Sequence, residues 1–178
     1  MYYSLLNGGK ETMNDYENLV FDVIRIKNTQ NADSRTADDK LSKETLCNAT
    51  SQHRLDVNEI MQVVAEMITY RGIYHDHTKI KYFDEFAEEV LKPHTDDEFK
   101  NSEWYQKHIF EERHHLNANC PVDVNLLDVL EMICDCIAAG KGRSGRTTPA
   151  FLKLKDSSIL ERAYWNTVKL LDDKVIVK

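Results

Sequence analysis

The chain has 178 residues, which suffices for one domain with a sizeable core, and its 42% apolar and 30% charged residues are ordinary for a globular protein. A net charge of −7 argues against non-specific binding to duplex nucleic acid, which needs an excess of lysine and arginine. No apolar run approaches the roughly 18 residues of a membrane span, and the N-terminal residues lack a signal-peptide pattern, so we expect a cytoplasmic protein without a membrane partner. The four cysteines form no Cys-x-x-Cys pair and are expected to be reduced thiols.

Residues 1–45 predict an N-terminal helix and a polar linker that pack on the domain that follows. Apolar side chains at helical spacing predict an amphipathic helix over residues 13–27. Residues 28–40 are polar and acidic without periodicity, which indicates a solvated linker. The alternative is that Arg35 and its two neighbours fold over a site, where the guanidinium would hold a phosphate.

Residues 46–178 complete a single domain made of successive helices. Ser42 is expected to cap a short helix that ends at Cys47. Tyr164, Trp165 and Val168 are expected to face inward from the last helix. Periodicity, caps and breakers predict the remaining helices over residues 51–72, 82–91, 96–117, 124–139 and 159–171, with a further helical section from residue 149.

The clearest chemical signal is the run from Tyr74 to Lys79, which contains His75 and Asp76. A histidine next to an aspartate offers one nitrogen and one oxygen ligand, which divalent transition metals accept. Lys79 follows Asp76 by three residues, so on a helix the two share a face. The lysine could then hold a substrate phosphate beside a metal.

Three further histidines follow in one predicted helix. His108 and His115 are two turns apart and would share a face, with Glu111 and Glu112 between them. His114 would point about 100° away from His115, so one of this pair is expected to be a ligand rather than both. The alternative for each histidine is a structural role.

Asp135 lies inside the most apolar predicted helix. A carboxylate is costly there unless it is paired or bound to a metal. An exposed acidic stripe with Asp128 and Glu131 is the alternative. Because a bound ion would offset the cost of placing this carboxylate among apolar residues, we favour Asp135 as a metal ligand.

Residues 140–146 are glycine-rich and basic. They lack the spacing of a P-loop, which excludes an ATP-binding fingerprint. Their backbone N–H groups and the cations Lys141, Arg143 and Arg146 would nevertheless suit an anion. A solvated loop is the alternative.

The order of these residues resembles the HD-domain metal-dependent phosphohydrolase superfamily. The chain is also similar to an uncharacterised family common in bacteriophage genomes, with the pattern HDxxK…H…HH…EMxxD. The resemblance covers about residues 50–155. The residues that carry it are His53, His75-Asp76-x-Thr78-Lys79, Trp104-x-x-x-His108, His114-His115 and Glu131-Met132-x-x-Asp135.

The resemblance implies an all-α, HD-domain-like bundle of about six to eight helices that binds one or two divalent transition metal ions (Mn, Fe, Co, Ni or Zn). By superfamily analogy the substrate is a nucleotide or a nucleotide-derived phosphoester. A phage-encoded protein would act in the host cytoplasm, and a homo-oligomer is compatible with the pattern.

The resemblance also implies the ligands of the metal. His75, Asp76 and Asp135 would hold the first ion, while His108 with one of the adjacent histidines would bind a second ion or the scissile phosphate. His53 would join them only if the chain turns back after about Glu66, because one straight helix to Arg71 would be about 27 Å long.

In the implied mechanism a metal-bound water attacks the phosphorus. Lys79, with Arg143 or Arg35, would stabilise the developing charge. Glu111 or Glu112 would orient ligands or act as a base. The alternatives are a di-iron oxygenase of the HD type and a nucleotide-binding protein with a degenerate metal site.

Overall fold

A computed structural model of the chain describes residues 23–26, 42–147 and 149–177. The predicted all-α class is confirmed, because extended structure in these ranges is limited to two three-residue strands. No helix in the described ranges is both long and apolar enough to span a membrane. The elements in chain order are β1 (Ile24–Ile26), α1 (Lys43–Tyr74), α2 (His77–Lys81), α3 (Phe83–Leu91), α4 (Asp96–Lys100), α5 (Glu103–Glu111), α6 (Leu126–Ser144), α7 (Pro149–Leu152), α8 (Ser158–Asp172) and β2 (Val175–Val177).

The chain divides into two compact units. The first contains the described residues of Met1–Val63 and Leu171–Lys178, and the second is Val64–Leu170. In the first unit β1 and β2 pair in parallel, with Ile24 opposite Val175. The helix predicted over residues 13–27 is therefore wrong at residues 24–26, where β-branched isoleucines suit a strand. Val23, just before β1, is not helical either, and residues 13–22 and 27 lie outside the described residues.

The helix α1 is longer than any helix predicted for this part of the chain. It begins where expected, since Ser42 Oγ accepts a hydrogen bond from the Thr45 backbone N–H at 3.1 Å. It does not end at Cys47, and it continues through Gly72 to Tyr74. A glycine inside a helix costs about 1 kcal/mol, which a long helix tolerates.

The second unit is built around an apolar core from α6, α8 and the segment between α5 and α6. Ile159 and Ala163, one turn apart, form the buried side of α8. The prediction that Tyr164, Trp165 and Val168 face inward is wrong, since they are 53%, 61% and 41% exposed. The core residues are Leu116, Val124, Val129, Met132, Ile159 and Ala163.

The single helix predicted over residues 96–117 is broken once and ends earlier than predicted. It breaks at Asn101–Ser102, where Ser102 Oγ accepts a hydrogen bond from the Tyr105 backbone N–H at 3.2 Å and starts α5. It then ends at Glu111, so His114 and His115 lie in the turns that follow.

The helix α6 begins at a capping box and ends later than predicted. The Asn125 side chain accepts hydrogen bonds from the backbone N–H groups of Leu127 and Asp128, while Asp128 Oδ2 accepts one from Asn125 N at 2.9 Å. Gly145, with φ of 73°, closes the helix in the left-handed conformation that glycine favours. The stretch predicted as a loop from residue 140 is thus helical through Ser144.

Candidate metal centre

Asp76 occupies the sharp turn between α1 and α2. Its φ of 56° and ψ of 29° are left-handed, a conformation that aspartate and asparagine tolerate better than most residues. Asp76 Oδ2 accepts a hydrogen bond from Lys79 Nζ. Asp76 Oδ1 is buried without a hydrogen-bond partner. A buried carboxylate oxygen in that state is costly, and a bound cation would satisfy it.

Three histidine rings direct Nε2 towards this carboxylate. The Nε2 atoms of His108 and His114 lie 3.5 and 3.6 Å from Asp76 Oδ1. His75 Nε2 lies 3.6 Å from Asp76 Oδ2 and 3.5 Å from Asp135 Oδ1. Two ligands bound at about 2.1 Å to one tetrahedral ion would lie about 3.4 Å apart. The separations therefore fit atoms that share a metal better than atoms that share a proton.

The fourth histidine, His115, lies against His108, with the two Nε2 atoms 2.8 Å apart. His115 also contributes to the cluster, since it belongs to one of three sets of donors whose ligand atoms lie within 4.8 Å of one another. The sets are His75, His114 and Glu131; Asp76, His108 and His115; and Asp76, Glu112 and His114. Since two sets share Asp76 and two share His114, the cluster has room for one ion or for two that share a ligand.

The structure brings both members of the His114-His115 pair into this cluster. The expectation that one would point away assumed a helix through residue 117. Because α5 ends at Glu111, the helical angle of about 100° between neighbours no longer applies. Glu112 ends the helix with its own side chain buried in a tertiary contact, in which its Oε1 accepts a hydrogen bond from Thr78 N at 2.8 Å.

The second nitrogen of each of three rings faces a polar side chain outside the cluster of Nε2 atoms. His75 Nδ1 and His114 Nδ1 lie 3.1 and 3.2 Å from Glu131 Oε1. His108 Nδ1 lies 2.6 Å from Thr78 Oγ1. Metal-binding histidines usually hold a hydrogen bond of this kind, which sets the orientation of the ring.

The Thr78 hydroxyl group links His108 to Glu112. It donates to Glu112 Oε1 at 2.7 Å, and His77 Nδ1 lies 3.0 Å from the same oxygen. Thr78 and Glu112 are 0% and 2% exposed, so these hydrogen bonds are shielded from water. Glu112 therefore lies next to the donors as an orienting group for His108.

Burial and hydrogen bonding set the charges of the cluster. Close contacts with the carboxylates of Asp135 and Glu131 raise the pKa of His75 to about 10. Burial lowers the pKa of His115 to about 4, which keeps that imidazole neutral and able to bind a metal. Burial opposes ionisation of Glu112, but hydrogen bonds from His77 and Thr78 outweigh it and lower its pKa to about 2.

Glu131 belongs to a series of charged side chains that alternate in sign. Burial again opposes ionisation of Glu131, and its close contacts with His114 and His75 together with the charge of Arg71 lower its pKa to about 2. Arg71 Nη1 is 3.7 Å from Glu131 Oε2, and Arg71 Nη2 is 3.3 Å from Asp128 Oδ1. Asp128 is 0% exposed and binds Arg113 through two contacts of 2.9 Å.

The cluster opens into a cleft of about 1080 Å³ in the second unit. Lys79 and Arg143 bring positive charge to its lining. Aromatic rings line part of its wall, and Trp104 stacks on His108 with centroids 5.0 Å apart. The aromatic lining residues are Phe86, Phe99, Trp104 and Tyr105, and the aliphatic or small ones include Ile68, Leu127, Leu130, Ala138 and Ala139.

The other cations predicted to bind substrate are placed differently. Lys141 and Arg146 are exposed and are not among the described residues that line the cleft. Arg143 lines it because residue 143 is helical and follows Asp135 by eight positions on α6. Arg35 lies outside the described residues.

Two further predicted site residues have other surroundings. Glu111 accepts hydrogen bonds from Tyr82 Oη at 3.0 Å and Lys81 Nζ at 3.1 Å, and it is not among the described lining residues of the cleft. His53 lies within α1 and is absent from the donor sets found in the described part of the chain. The turn after Glu66 on which its ligand role depended does not form, since α1 continues to Tyr74.

Sequence reasoning missed the orienting roles of Thr78 and Glu131 and the buried pairing of Arg71 with Asp128. Thr78 and Glu131 belong to the motifs that carry the resemblance, so their positions were visible although their contacts were not. The sequence around Arg71 and Asp128 carries no comparable signal, because their pairing joins residues that are distant along the chain.

The chain belongs to the DUF5662 family, a family of unknown function whose model matches residues 42–169. The match includes every residue of the cluster and of the cleft. No curated protein matches the chain, and no solved structure matches it.

Proposed function

We propose that this member of the DUF5662 family is a metal-dependent phosphohydrolase that acts on a nucleotide or a nucleotide-derived phosphoester. The observation that carries the proposal is the convergence of three histidine Nε2 atoms on the Asp76 carboxylate, one oxygen of which is buried without a hydrogen-bond partner. A donor set rich in imidazole suits a transition metal such as Mn, Fe, Co, Ni or Zn better than Mg or Ca.

The residues around the cluster suit phosphoester hydrolysis. A bound ion would polarise a phosphoryl oxygen and lower the pKa of a coordinated water. Lys79 and Arg143 would hold phosphate oxygens and offset the charge that develops on them. Lys79 already contacts Asp76 Oδ2, so its ammonium group lies beside the donor atoms.

The cleft supports an organic substrate with a planar group. Its volume of about 1080 Å³ is at the upper end of the usual range for small-molecule sites. The aromatic rings of Phe86, Phe99, Trp104 and Tyr105 offer apolar surface beside the donor cluster, which would suit a nucleobase. The phosphate would then lie at the cationic, metal-binding side.

Oxygen chemistry at a paired iron centre is the second candidate. The specific observation that favours it is the sharing of Asp76 between two donor sets, which would allow two ions to lie close together. Iron content and colour of the aerobically purified protein would separate this candidate from a hydrolase.

The test is elemental analysis of untagged protein, wild type against Asp76→Asn. Asparagine tolerates the left-handed φ of 56°, so this substitution removes the charge without straining the turn as alanine would. We expect one or two equivalents of a transition metal in the wild type and a loss of most of it in the variant. Asp84→Asn, at an exposed position of α3, is the matched control and should retain the metal.

The metal-loaded protein would next be screened for phosphate release from nucleoside monophosphates, diphosphates and cyclic nucleotides. Release that depends on Asp76 would support a hydrolase. Full metal content in Asp76→Asn would contradict the proposed centre. Metal binding without turnover of any phosphoester, with two equivalents of iron, would move oxygen chemistry to first place. Absence of metal even after reconstitution would leave a nucleotide-binding protein with a degenerate site.

A further inference from the structure

We infer that Glu131 is a positioning residue that holds both His75 and His114 in the tautomer that presents Nε2 to the metal centre, and that Glu131 is not itself a ligand. The inference rests on the proposed metal centre. In this inference, a single carboxylate orients two of the proposed ligands.

The distances around the two rings separate two kinds of contact. On the outer side, Glu131 Oε1 makes a hydrogen bond of 3.1 Å with His75 Nδ1. The same oxygen lies 3.2 Å from His114 Nδ1, which is buried and makes no hydrogen bond in this structure. On the inner side, the two Nε2 atoms are 3.6 Å from Asp76 oxygens. That separation is long for a hydrogen bond and suits two ligands of one ion.

These contacts determine which nitrogen carries the proton. A neutral imidazole has one N–H donor and one lone pair, and an ionised carboxylate oxygen can only accept. If each Nδ1 donates to Glu131 Oε1, each Nε2 keeps its lone pair on the side of Asp76. One oxygen with two acceptor sites can serve both rings, whose centroids lie 4.4 Å apart.

The surroundings of Glu131 explain why it is suited to accept hydrogen bonds from the two rings rather than to bind the ion. Its side chain is 9% exposed, and Arg71 Nη1 lies 3.7 Å from its other oxygen. Arg71 in turn contacts the fully buried Asp128, which binds Arg113. This alternation of charges holds Glu131 ionised and in place while its Oε1 faces the two rings.

His108 provides an internal comparison within the same cluster. Its Nδ1 contacts Thr78 Oγ1 at 2.6 Å, and Thr78 donates to Glu112. The orientation of His108 therefore does not depend on Glu131. A change at Glu131 should affect His75 and His114 and leave the tautomer of His108 unchanged.

The experiment uses the full chain loaded with Zn²⁺, with Glu131→Gln and Glu131→Ala as variants. Long-range ¹H–¹⁵N spectra of the imidazole rings report which nitrogen is protonated and which is bound to metal. In the wild type we expect His75 and His114 to be protonated at Nδ1 and bound through Nε2. Glu131→Gln keeps the size and one acceptor oxygen, so it should retain part of the effect.

Zn²⁺ affinity and the visible spectrum of the Co²⁺-loaded protein complete the test. Loss of an outer hydrogen-bond partner of metal ligands typically weakens metal binding by about 10–100-fold. We expect the larger loss in Glu131→Ala and a smaller one in Glu131→Gln, with the Co²⁺ band positions unchanged because the ligand set is unchanged. Glu161→Gln, at an exposed position of α8, is the control and should match the wild type.

The outcomes are distinguishable from failure of the proposed metal centre. A wild-type protein that binds neither Zn²⁺ nor Co²⁺ would overturn the metal centre, and this inference with it. Tight binding that both Glu131 variants leave unchanged would overturn this inference alone. A shift of the Co²⁺ bands in Glu131→Gln, with a changed coordination number, would show that Glu131 is a ligand. If Glu131→Ala does not fold, the spectra of Glu131→Gln still decide.

Discussion

Asp128 is the carboxylate that contacts both the buried Arg71 and the half-buried Arg113. Its Oδ1 accepts from Arg113 Nε and its Oδ2 from Arg113 Nη2, both at 2.9 Å, and Arg71 Nη2 lies 3.3 Å from Oδ1. Its Oδ2 also accepts the backbone N–H of Asn125 at the start of α6. Replacement of Asp128 by alanine would remove all of these contacts at once.

The expected cost follows from burial. Asp128 is 0% exposed and Arg71 is 8% exposed, so removal of the carboxylate would take away an acceptor 3.3 Å from a buried positive charge and leave Glu131, at 3.7 Å, to offset it. Breaking a buried ion pair in this way costs about 3–5 kcal/mol. For a chain of this size, that cost corresponds to a fall of about 6–20 °C in Tm. The substitution also removes the hydrogen bond from Asn125 N, which is one half of the capping box of α6, while the Asn125 side chain still caps the helix.

The matched control is a variant at Asp123, the second carboxylate that Arg113 binds, which lies at the surface. Asp123 Oδ1 lies 3.0 Å from Arg113 Nη1, but its side chain is 76% exposed. An exposed ion pair contributes at most about 1 kcal/mol, so Asp123→Ala should change the free energy of unfolding little. The assay is chemical and thermal unfolding of wild type, Asp128→Ala and Asp123→Ala, followed by circular dichroism.

A loss below about 1 kcal/mol in Asp128→Ala, equal to that in Asp123→Ala, would refute the reasoning. It would mean that the arginines find water or other acceptors when Asp128 is removed. A large loss in both variants would instead show that the exposed and buried partners of Arg113 are equivalent, which also contradicts the argument from burial.

Two further predictions concern the centre itself. Lys79→Gln should lower the rate of phosphate release by about 100-fold at saturating metal while metal content stays unchanged, because the lost ammonium stabilises developing charge; loss of metal together with rate would contradict that role. In the metal-free protein, close contacts with the carboxylates of Asp135 and Glu131 raise the pKa of His75 from 6.5 to about 10. The resulting stabilisation is fully present below pH 6.5 and is lost as the pH rises towards 10, so the free energy of unfolding should fall across that window. The ring signals of His75 should accordingly not titrate between about pH 6 and 8, and a midpoint near 6.5 would refute the assignment.

Local signals in the sequence were sufficient for the all-α class, for some helix starts and for the residue types of the proposed centre. Hydroxyl caps such as Ser42 mark helix starts because they accept backbone N–H groups within three residues. The pairing of His75 with Asp76 and the placement of Asp135 in an apolar helix pointed to donors, since such groups are costly to bury alone. These inferences need only neighbouring residues.

Helix ends within the site depended on distant contacts. The run from Glu111 to His115 contains no proline or glycine, and nothing local predicts that α5 stops at Glu111. Glu112 instead accepts hydrogen bonds from Thr78, which is 34 residues away. Two buried hydrogen bonds to a carboxylate outweigh helix propensities of a few tenths of a kcal/mol per residue.

The sequence by itself determined which side chains were available to bind a metal, their order and the helices that carry His108 and Asp135. The tertiary structure decided which atoms meet. It turned His114 as well as His115 into the cluster, gave Asp76 its left-handed turn, and brought Glu131 to His75 across 56 residues. Periodicity reports on neighbours within a few residues, whereas the orientation of a ring depends on whichever partner packs beside it in the folded chain.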